Sequence, residues 1–263
     1  MRALSATLLI LLGACAVVAD DLSPASAIEV ATGTARAPAK LQGEFSACEV
    51  LRASREMMPS SPIELTGALV LRNRKGIVSR EYGYQLVMRR TADASLLTVR
   101  LTPRDATNEL ACVMISRRGK TRPSILLSKE GGAAEPVVSS LERVMDTDVT
   151  WLDLTFDFLW WTDASFETER EGETVHGQTC AVILVRPPEK IEGLGAIRLW
   201  VDKKMGCLMQ AEQLDEDMKA KRRLWGTRVK KFDGRWMVSV LEVETLGSRH
   251  RTKITVESLK ELP

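Results

Sequence analysis

The chain has 263 residues, of which 37 are Lys or Arg and 35 are Asp or Glu, and its net charge is +2. Charges of both signs are interspersed along the sequence, which argues against a nucleic-acid-binding protein. The length is sufficient for one domain with a sizeable hydrophobic core.

The N-terminus has the pattern of a secretory leader. Arg2 precedes an apolar run over residues 4–18, which is too short to cross a membrane. Cleavage by an ordinary signal peptidase would remove a signal peptide of residues 1–19. A lipobox is the competing interpretation, because Leu-Gly-Ala precedes Cys15 and cleavage there would leave this cysteine lipidated. Both alternatives predict export to a bacterial periplasm, and the second adds a lipid anchor.

Residues 20–44 are rich in Ala, Ser, Thr and Pro and have no lasting hydrophobic period, which is typical of a disordered tether. From Ser46 the period becomes helical. One amphipathic helix is predicted, and Pro59 and Pro62 end it. Its apolar face consists of Ala47, Val50, Leu51, Ser54, Met57 and Met58. We therefore place a single domain at 45–263, beginning with this helix.

Alternation of apolar and polar residues dominates the chain after this helix, which predicts strands joined by short turns. The chain reverses at Asn73–Gly76 and, in a tight hairpin, at Asp233–Gly234, while 136–146 is expected to be irregular or helical. About a dozen strands in one meander must curl. The predicted fold is mainly β, a large antiparallel barrel that does not close completely. The strands are expected at about 65–71, 78–88, 97–101, 110–117, 124–129, 164–171, 177–186, 195–203, 207–215, 219–231, 235–246 and 249–258.

An aromatic stretch, Asp148–Trp161, interrupts the strands and contains three of the six tryptophans. It has the pattern of a strand end that leads into a short helix, which Asp153 could cap. Such a large apolar area must be covered, and the concave side of the sheet can cover it. Two interpretations stay open, a buried core segment and a mobile lid over an apolar cavity.

No catalytic or metal-binding pattern is present. His176 and His250 are too far apart in sequence to suggest a metal site, and there is neither a phosphate-binding loop nor a nucleophile elbow. Asp148, Asp153 and Asp157 are spaced like turn and cap residues rather than like a calcium loop. The sequence therefore predicts a protein without enzymatic activity, cofactor or metal.

Four cysteines come after the leader, at Cys48, Cys112, Cys180 and Cys207. An even number in an oxidising compartment is compatible with two disulfides, and the sequence does not select the pairing. The alternative is that they are buried thiols that act as small apolar side chains.

Strand alternation and the aromatic stretch together predict which side chains would line an apolar, lipid-binding cavity. The expected lining residues are Leu69, Tyr84, Leu86, Met88, Leu97, Val99, Met145, Trp160 and Trp161.

Four segments resemble the outer-membrane lipoprotein-sorting family, which is LolA-like. They are Asp146–Leu154, Ile197–Lys203 with Gln210-Ala211-Glu212 after it, Ser248–Ile254, and Val256–Leu259. The likeness extends from about Glu64 to Leu262. It implies an unclosed antiparallel barrel in which helices cover an apolar cavity for the acyl chains of lipoproteins, without catalysis.

Two functions are compatible with these patterns. The first is a periplasmic carrier of lipids or lipoproteins, a monomer that meets sorting partners at the inner or outer membrane. The second is a signalling or scaffold domain of the cell envelope that binds a partner protein through the same sheet.

Overall fold

The structure, a computed structural model, describes residues 45–263 except 60, 74, 92–93, 106–107, 233–234 and 249. The predicted signal peptide, Cys15, the tether and the Asp233–Gly234 turn lie outside the described residues. Within them, one long antiparallel sheet accounts for most of the chain, which confirms the mainly β prediction. No helix in these described ranges is long and apolar enough to span a membrane.

In the described part of the chain the sheet contains fourteen strands, in the order β6-β5-β4-β3-β2-β1-β14-β13-β12-β11-β10-β9-β7, and β8 pairs with β9 outside this path. The short strands β6 and β7 form the two ends, so the barrel is open, as predicted. The strands are β1 Ile63–Asn73, β2 Val78–Arg90, β3 Ala94–Pro103, β4 Ala111–Arg118, β5 Ser124–Lys129, β6 Glu135–Pro136, β7 Asp163–Phe166, β8 Thr174–Val175, β9 Gln178–Arg186, β10 Ala196–Asp202, β11 Leu208–Leu214, β12 Ala220–Phe232, β13 Arg235–Thr245 and β14 His250–Glu261.

Irregularities in the strand register help the sheet to curl, because a bulge bends its strand and increases the local twist. One lies between Thr66 and Gly67, where β1 pairs with β14. A Cβ atom at Gly67 would lie 1.8 Å from the Thr255 carbonyl oxygen and 2.8 Å from the Tyr84 ring. Only glycine fits here, because it lets β14 and the tyrosine approach the backbone of β1.

The predicted N-terminal helix is confirmed as α1, Ala47–Glu56. Ser46 is its N-cap, and the side chains of Ser46 and Glu49 bond each other's backbone amides in a capping box. Ala47, Val50 and Leu51 are buried, so α1 packs its apolar face against the interior of the curved sheet.

The sequence prediction is wrong at one strand. The chain expected to be a strand at 164–171 forms β7 only as far as Phe166 and then a short 3-10 helix, Thr168–Arg170. Two carboxylates explain the departure, because Glu167 binds Arg198 and Glu173 accepts from the Trp200 indole across the outer face of the sheet. These contacts fold the segment over β9 and β10 instead of extending β7. The segment 136–146 is irregular after β6, as expected.

Candidate functional site

Residues 148–161, which we call the aromatic insert, cross the hollow side of the sheet. The insert contains a one-turn helix, α2 (Trp151–Thr155). Its N-cap is Thr150, and Asp153 stands three residues later and completes a capping box. The prediction that Asp153 caps the helix is therefore corrected: threonine is the cap, and the aspartate is its partner inside the first turn.

Phe156 divides the insert into two parts. Its φ of 47° is left-handed, an unusual conformation for a bulky residue, and it ends α2. A 3-10 helix, Asp157–Trp160, comes directly after it. The rings of Phe156 and Phe158 meet edge to face, with centroids 5.7 Å apart.

The insert fills the hollow. Trp151, Phe158 and Leu159 are each 1% exposed, and Trp161 is 4% exposed. These side chains belong to one hydrophobic cluster that also contains α1 and the inward side chains of both halves of the sheet. The insert is thus part of the core in this conformation, which corresponds to the first of the two sequence interpretations.

All nine residues predicted to line a cavity lie in or against this cluster. Six are buried in it: Leu69, Tyr84, Leu86, Met88, Val99 and Trp161. The other three are partly buried and pack against it: Leu97, Met145 and Trp160. The fold brings these residues together, but the insert and α1 occupy the space that they would line. That they contact lipid stays a prediction.

One apolar void within the described residues borders the hollow, and it is small. It has a volume of about 10 Å³ and lies under β11–β13, between Leu208, Leu224 and Leu241. That is about the room for one water molecule. An acyl chain could enter the hollow only by displacing side chains that now fill it.

The first end of the insert is held by Asp148, whose side chain is fully buried. Its carboxylate accepts hydrogen bonds from Thr245 Oγ1 at 2.9 Å and Thr252 Oγ1 at 3.2 Å, and His250 Nδ1 lies 2.9 Å away. The Asp148 amide donates to Thr252 Oγ1 at 2.8 Å. Strands β13 and β14 therefore fix this residue from several directions.

Asp153 adds a second attachment at the same end. It accepts from Arg222 Nη2 at 2.6 Å and from Gln213 Nε2 at 3.1 Å, besides its capping bonds to Thr150. Arg222 also donates to the Asp148 carbonyl oxygen. The first end is thus bonded to four consecutive strands, β11 to β14.

The second end is held by Asp157. Arg117 Nη2 donates to Asp157 Oδ1 at 2.7 Å, and both side chains are almost completely buried. Trp161 Nε1 donates to the other carboxylate oxygen at 3.3 Å. Burial lowers the pKa of the Arg117 guanidinium and the Asp157 charge acts against this shift, so the arginine stays charged.

Two arginines also contact Trp160, the partly exposed ring of the insert. The Arg117 guanidinium carbon is 4.2 Å from the ring centroid and that of Arg55 is 5.8 Å away, so both form cation–π contacts. Arg55, from α1, donates to the Leu159 carbonyl oxygen. The second end therefore contacts α1 and β4, on the other side of the hollow from the first end.

The sequence analysis did not single out the side chains that hold the insert, although a signal exists. Along β4, the buried positions Ala111, Val113 and Ile115 continue to Arg117. The same holds on three other strands, where a polar residue lies two positions from an inward apolar one. The pairs are Arg222 with Leu224 on β12, Gln213 with Ala211 on β11, and Thr252 with Ile254 on β14. Polar residues that continue an inward apolar row at a strand end mark this site.

The cysteines divide into two groups. Cys48 is exposed and Cys112 is half buried. Cys180 and Cys207 lie together in a small buried cluster with Trp200 and Met209, on the face of β9–β11 opposite the main core. Cys207 Sγ is 3.8 Å from Met57 Sδ. The disulfides stay a prediction, and the pair that the fold places in one cluster is 180 with 207.

No group of three or more His, Cys, Asp or Glu side chains in the described ranges is arranged to hold a metal ion. His250 is a structural partner of Asp148, whereas His176 lies in a turn between β8 and β9 with a φ of 50°. The aspartates that the sequence analysis assigned to turns and caps have structural roles, because Asp148, Asp153 and Asp157 are buried anchors of the insert.

Solved structures share this architecture. A DUF1329 family protein from Desulfovibrio piger superposes with a TM-score of 0.69 at 16% identity, covering 82% of this chain and 91% of that one. A domain described as an outer membrane lipoprotein-sorting protein, from Vibrio parahaemolyticus, has the same score and identity and covers 82% and 92%. A LolA superfamily protein from Nitrosomonas europaea has a TM-score of 0.60 at 15% identity and covers 83% and 96%.

This chain has the LolA-type fold. The resemblance noted in the sequence is thereby confirmed for the architecture, an unclosed antiparallel barrel with helical segments on its hollow side. A family model described as an uncharacterized protein matches residues 138–261, which include the aromatic insert and β7 to β14. No curated protein matches the chain.

Proposed function

We propose that this protein is a periplasmic carrier of lipids or lipoproteins, which binds acyl chains on the hollow face of the sheet without any catalytic step. One observation carries the proposal: the hollow of an open, apolar sheet is filled by a segment that polar contacts hold at its two ends. If the insert swings outward, the side chains beneath it form a continuous apolar wall. Each buried CH₂ group of an acyl chain then contributes about 0.8 kcal/mol.

In this mechanism both interpretations of the insert apply, the buried core segment and the mobile lid. It is core when the carrier is empty and lid when the carrier is loaded. Acyl chains replace Phe158, Leu159 and Trp161 against the sheet, so the apolar surface is covered in both states. Opening requires that at least one end of the insert be released, and the Arg117–Asp157 pair is the contact that must break at the second end.

Lipid binding tests the proposal directly. The purified protein is titrated with a fluorescent fatty acid, and its mass is measured under native conditions to detect lipid that copurifies. We expect saturable binding with one or a few acyl chains per protein, and faster uptake by Arg117→Met than by the wild type. Arg80→Met is the matched control, because Arg80 forms an exposed pair with Asp146, which adjoins the first end of the insert and not the second. A lipid-free protein that binds no fatty acid in either form would refute the carrier.

A second function, a scaffold domain that binds an envelope protein, is favoured by the filled interior. A protein that never opens has no place for acyl chains, and its surface would then be the functional part. The two candidates separate in hydrogen exchange: we expect amides of 148–161 to exchange faster than those of β9–β11 in a carrier, and equally slowly in a scaffold.

A further inference from the structure

The rim of the hollow beside the second end of the insert is strongly basic. Arg90 and Arg117 share a register row, because each is paired with Ser95 across β3. Arg90 continues the inward row of Tyr84, Leu86 and Met88 on β2, as Arg117 does on β4. Arg55 reaches the same place from the last turn of α1. We call Arg55, Arg90 and Arg117 the basic rim.

Among the described residues, one carboxylate lies within ion-pair distance of these three arginines, Asp157, and it pairs with Arg117. The other two are bonded to backbone carbonyl oxygens. Arg55 donates to Leu159, and Arg90 donates to the carbonyl oxygens of Arg55 at 3.0 Å and Met58 at 3.4 Å. The Arg55 and Met58 carbonyls lie at the C-terminal end of α1, so the helix dipole offsets part of the charge of Arg90.

Positive charge remains in excess at the rim. Arg55 and Arg90 are half buried, and burial lowers the pKa of each guanidinium. The positive charges of Arg90 and of the exposed Arg52 lower the pKa of Arg55 further. The exposed Glu56 is the other nearby carboxylate, and it acts on both arginines from a distance. Two half-buried guanidinium groups without a carboxylate partner favour the binding of an anion, through charge-assisted hydrogen bonds.

The geometry points to an anionic headgroup site: the basic rim binds the carboxylate or phosphate head of an amphiphile whose acyl tail occupies the hollow. This inference rests on the proposed function and narrows it, because a carrier of purely neutral acyl chains needs no such site. Arg55 is a member of the basic rim that also binds the insert, so a bound anion would compete with the Leu159 carbonyl oxygen for this guanidinium. Headgroup binding and release of the second end are therefore coupled.

The test compares ligands that share a C16 tail and differ in the head. Palmitate and hexadecyl phosphate are the two anionic probes, and hexadecanol is the neutral probe, each displacing the same fluorescent fatty acid. We expect the wild type to bind at least one of the anionic probes about tenfold more tightly than the neutral one. The preference should fall as salt is raised, because the rim is partly exposed to solvent.

Two variants assign the preference to the rim. Arg90→Gln should remove most of the preference while hexadecanol binds as before, and Arg80→Gln should retain it. Arg55→Gln should also remove most of the preference, but hexadecanol should then enter faster, because the second end of the insert loses its bond from Arg55 to the Leu159 carbonyl oxygen. If one rim variant does not fold, the other decides the outcome. Equal binding of anionic and neutral probes by the wild type would overturn the headgroup site and leave the carrier standing. Absence of binding by all three probes would overturn both.

Discussion

The two ends of the aromatic insert are attached in different ways. The first end bonds to four consecutive strands through Asp148 and Asp153, and the polar groups that meet these carboxylates include hydroxyl, amide, imidazole and guanidinium groups. The second end has fewer polar attachments: the buried Arg117–Asp157 ion pair with the Trp161 indole bond to the same carboxylate, and Arg55, which binds the Leu159 carbonyl oxygen. Arg117 and Arg55 also lie against the Trp160 ring. In the proposed carrier, a segment attached in this way would pivot about its first end.

This difference also has an energetic side. A buried network of several hydrogen bonds is expensive to break, because its members lose their partners together in a low-dielectric interior. A single buried ion pair gains less, because the cost of desolvating its two charges offsets most of their attraction. We therefore expect the first end to act as the hinge and the second end to open.

The largest expected effect is at the hinge. Asp148→Ala leaves Thr245, Thr252 and His250 without their shared acceptor, so we expect the free energy of unfolding to fall by about 3 kcal/mol. Urea denaturation measures this loss. Asp146→Ala is the control, because Asp146 is half exposed and its loss should cost less than about 1 kcal/mol. Equal costs at the two positions would contradict the hinge.

A smaller effect is expected at the second end. Arg117→Met removes the charged partner of the buried Asp157 and leaves only its bond from the Trp161 indole. We expect a loss of about 2 kcal/mol, less than the usual cost, because in the proposed carrier this end moves and exposes the carboxylate to water. The double variant Arg117→Met, Asp157→Leu should be more stable than the single one, since no uncompensated charge remains. Urea denaturation measures the free energy of unfolding of both variants. A double variant less stable than Arg117→Met would show that the ion pair stabilises the fold strongly and would contradict the idea that it opens easily.

The ring of Trp160 should contribute less still. Trp160→Phe retains an aromatic face but weakens the contact with Arg117 and Arg55, so about 0.5 kcal/mol should be lost. Acrylamide should then quench the fluorescence of the remaining insert tryptophans more readily. Trp225→Phe, at a ring that Arg251 covers on another part of the sheet, should leave that quenching unchanged.

The smallest effect is spectroscopic. Burial and a hydrogen bond to Asp146 raise the pKa of Tyr82 to about 12, and burial also raises the pKa of Tyr84. Since these are the two tyrosines of the chain, phenolate absorbance should be nearly absent at pH 10.5 in the folded protein. The unfolded chain loses these protons first, so stability should fall as pH rises above about 10. Arg117→Met should not change the Tyr82 titration, because Asp146 adjoins the hinge and not the opening end.

Local sequence signals predicted much of this site and misjudged a few details. The stretch 148–161, its helix and its apolar content were predicted from residue pattern, and so was the row of inward side chains at Leu86, Met88 and Val99. The role of Asp153 was misplaced within the first turn, because Thr150 and Asp153 are both good capping residues and only the backbone angles distinguish them. The anchors Arg117 and Arg222 were missed, since a charged residue at the end of a strand is usually assigned to solvent.

The sequence by itself determined the type of each element, because the pattern of apolar residues is a local property of consecutive positions. Helical spacing predicted α1, and alternation predicted the strands. It also determined that a large aromatic area needed cover. Only the tertiary structure decided what provides that cover and what holds it. Arg117 and Asp157 are 40 residues apart, and Asp148 and Thr252 are 104 residues apart. Such contacts depend on how far the sheet curls, which is the summed result of many small twists and bulges rather than a property of any one segment.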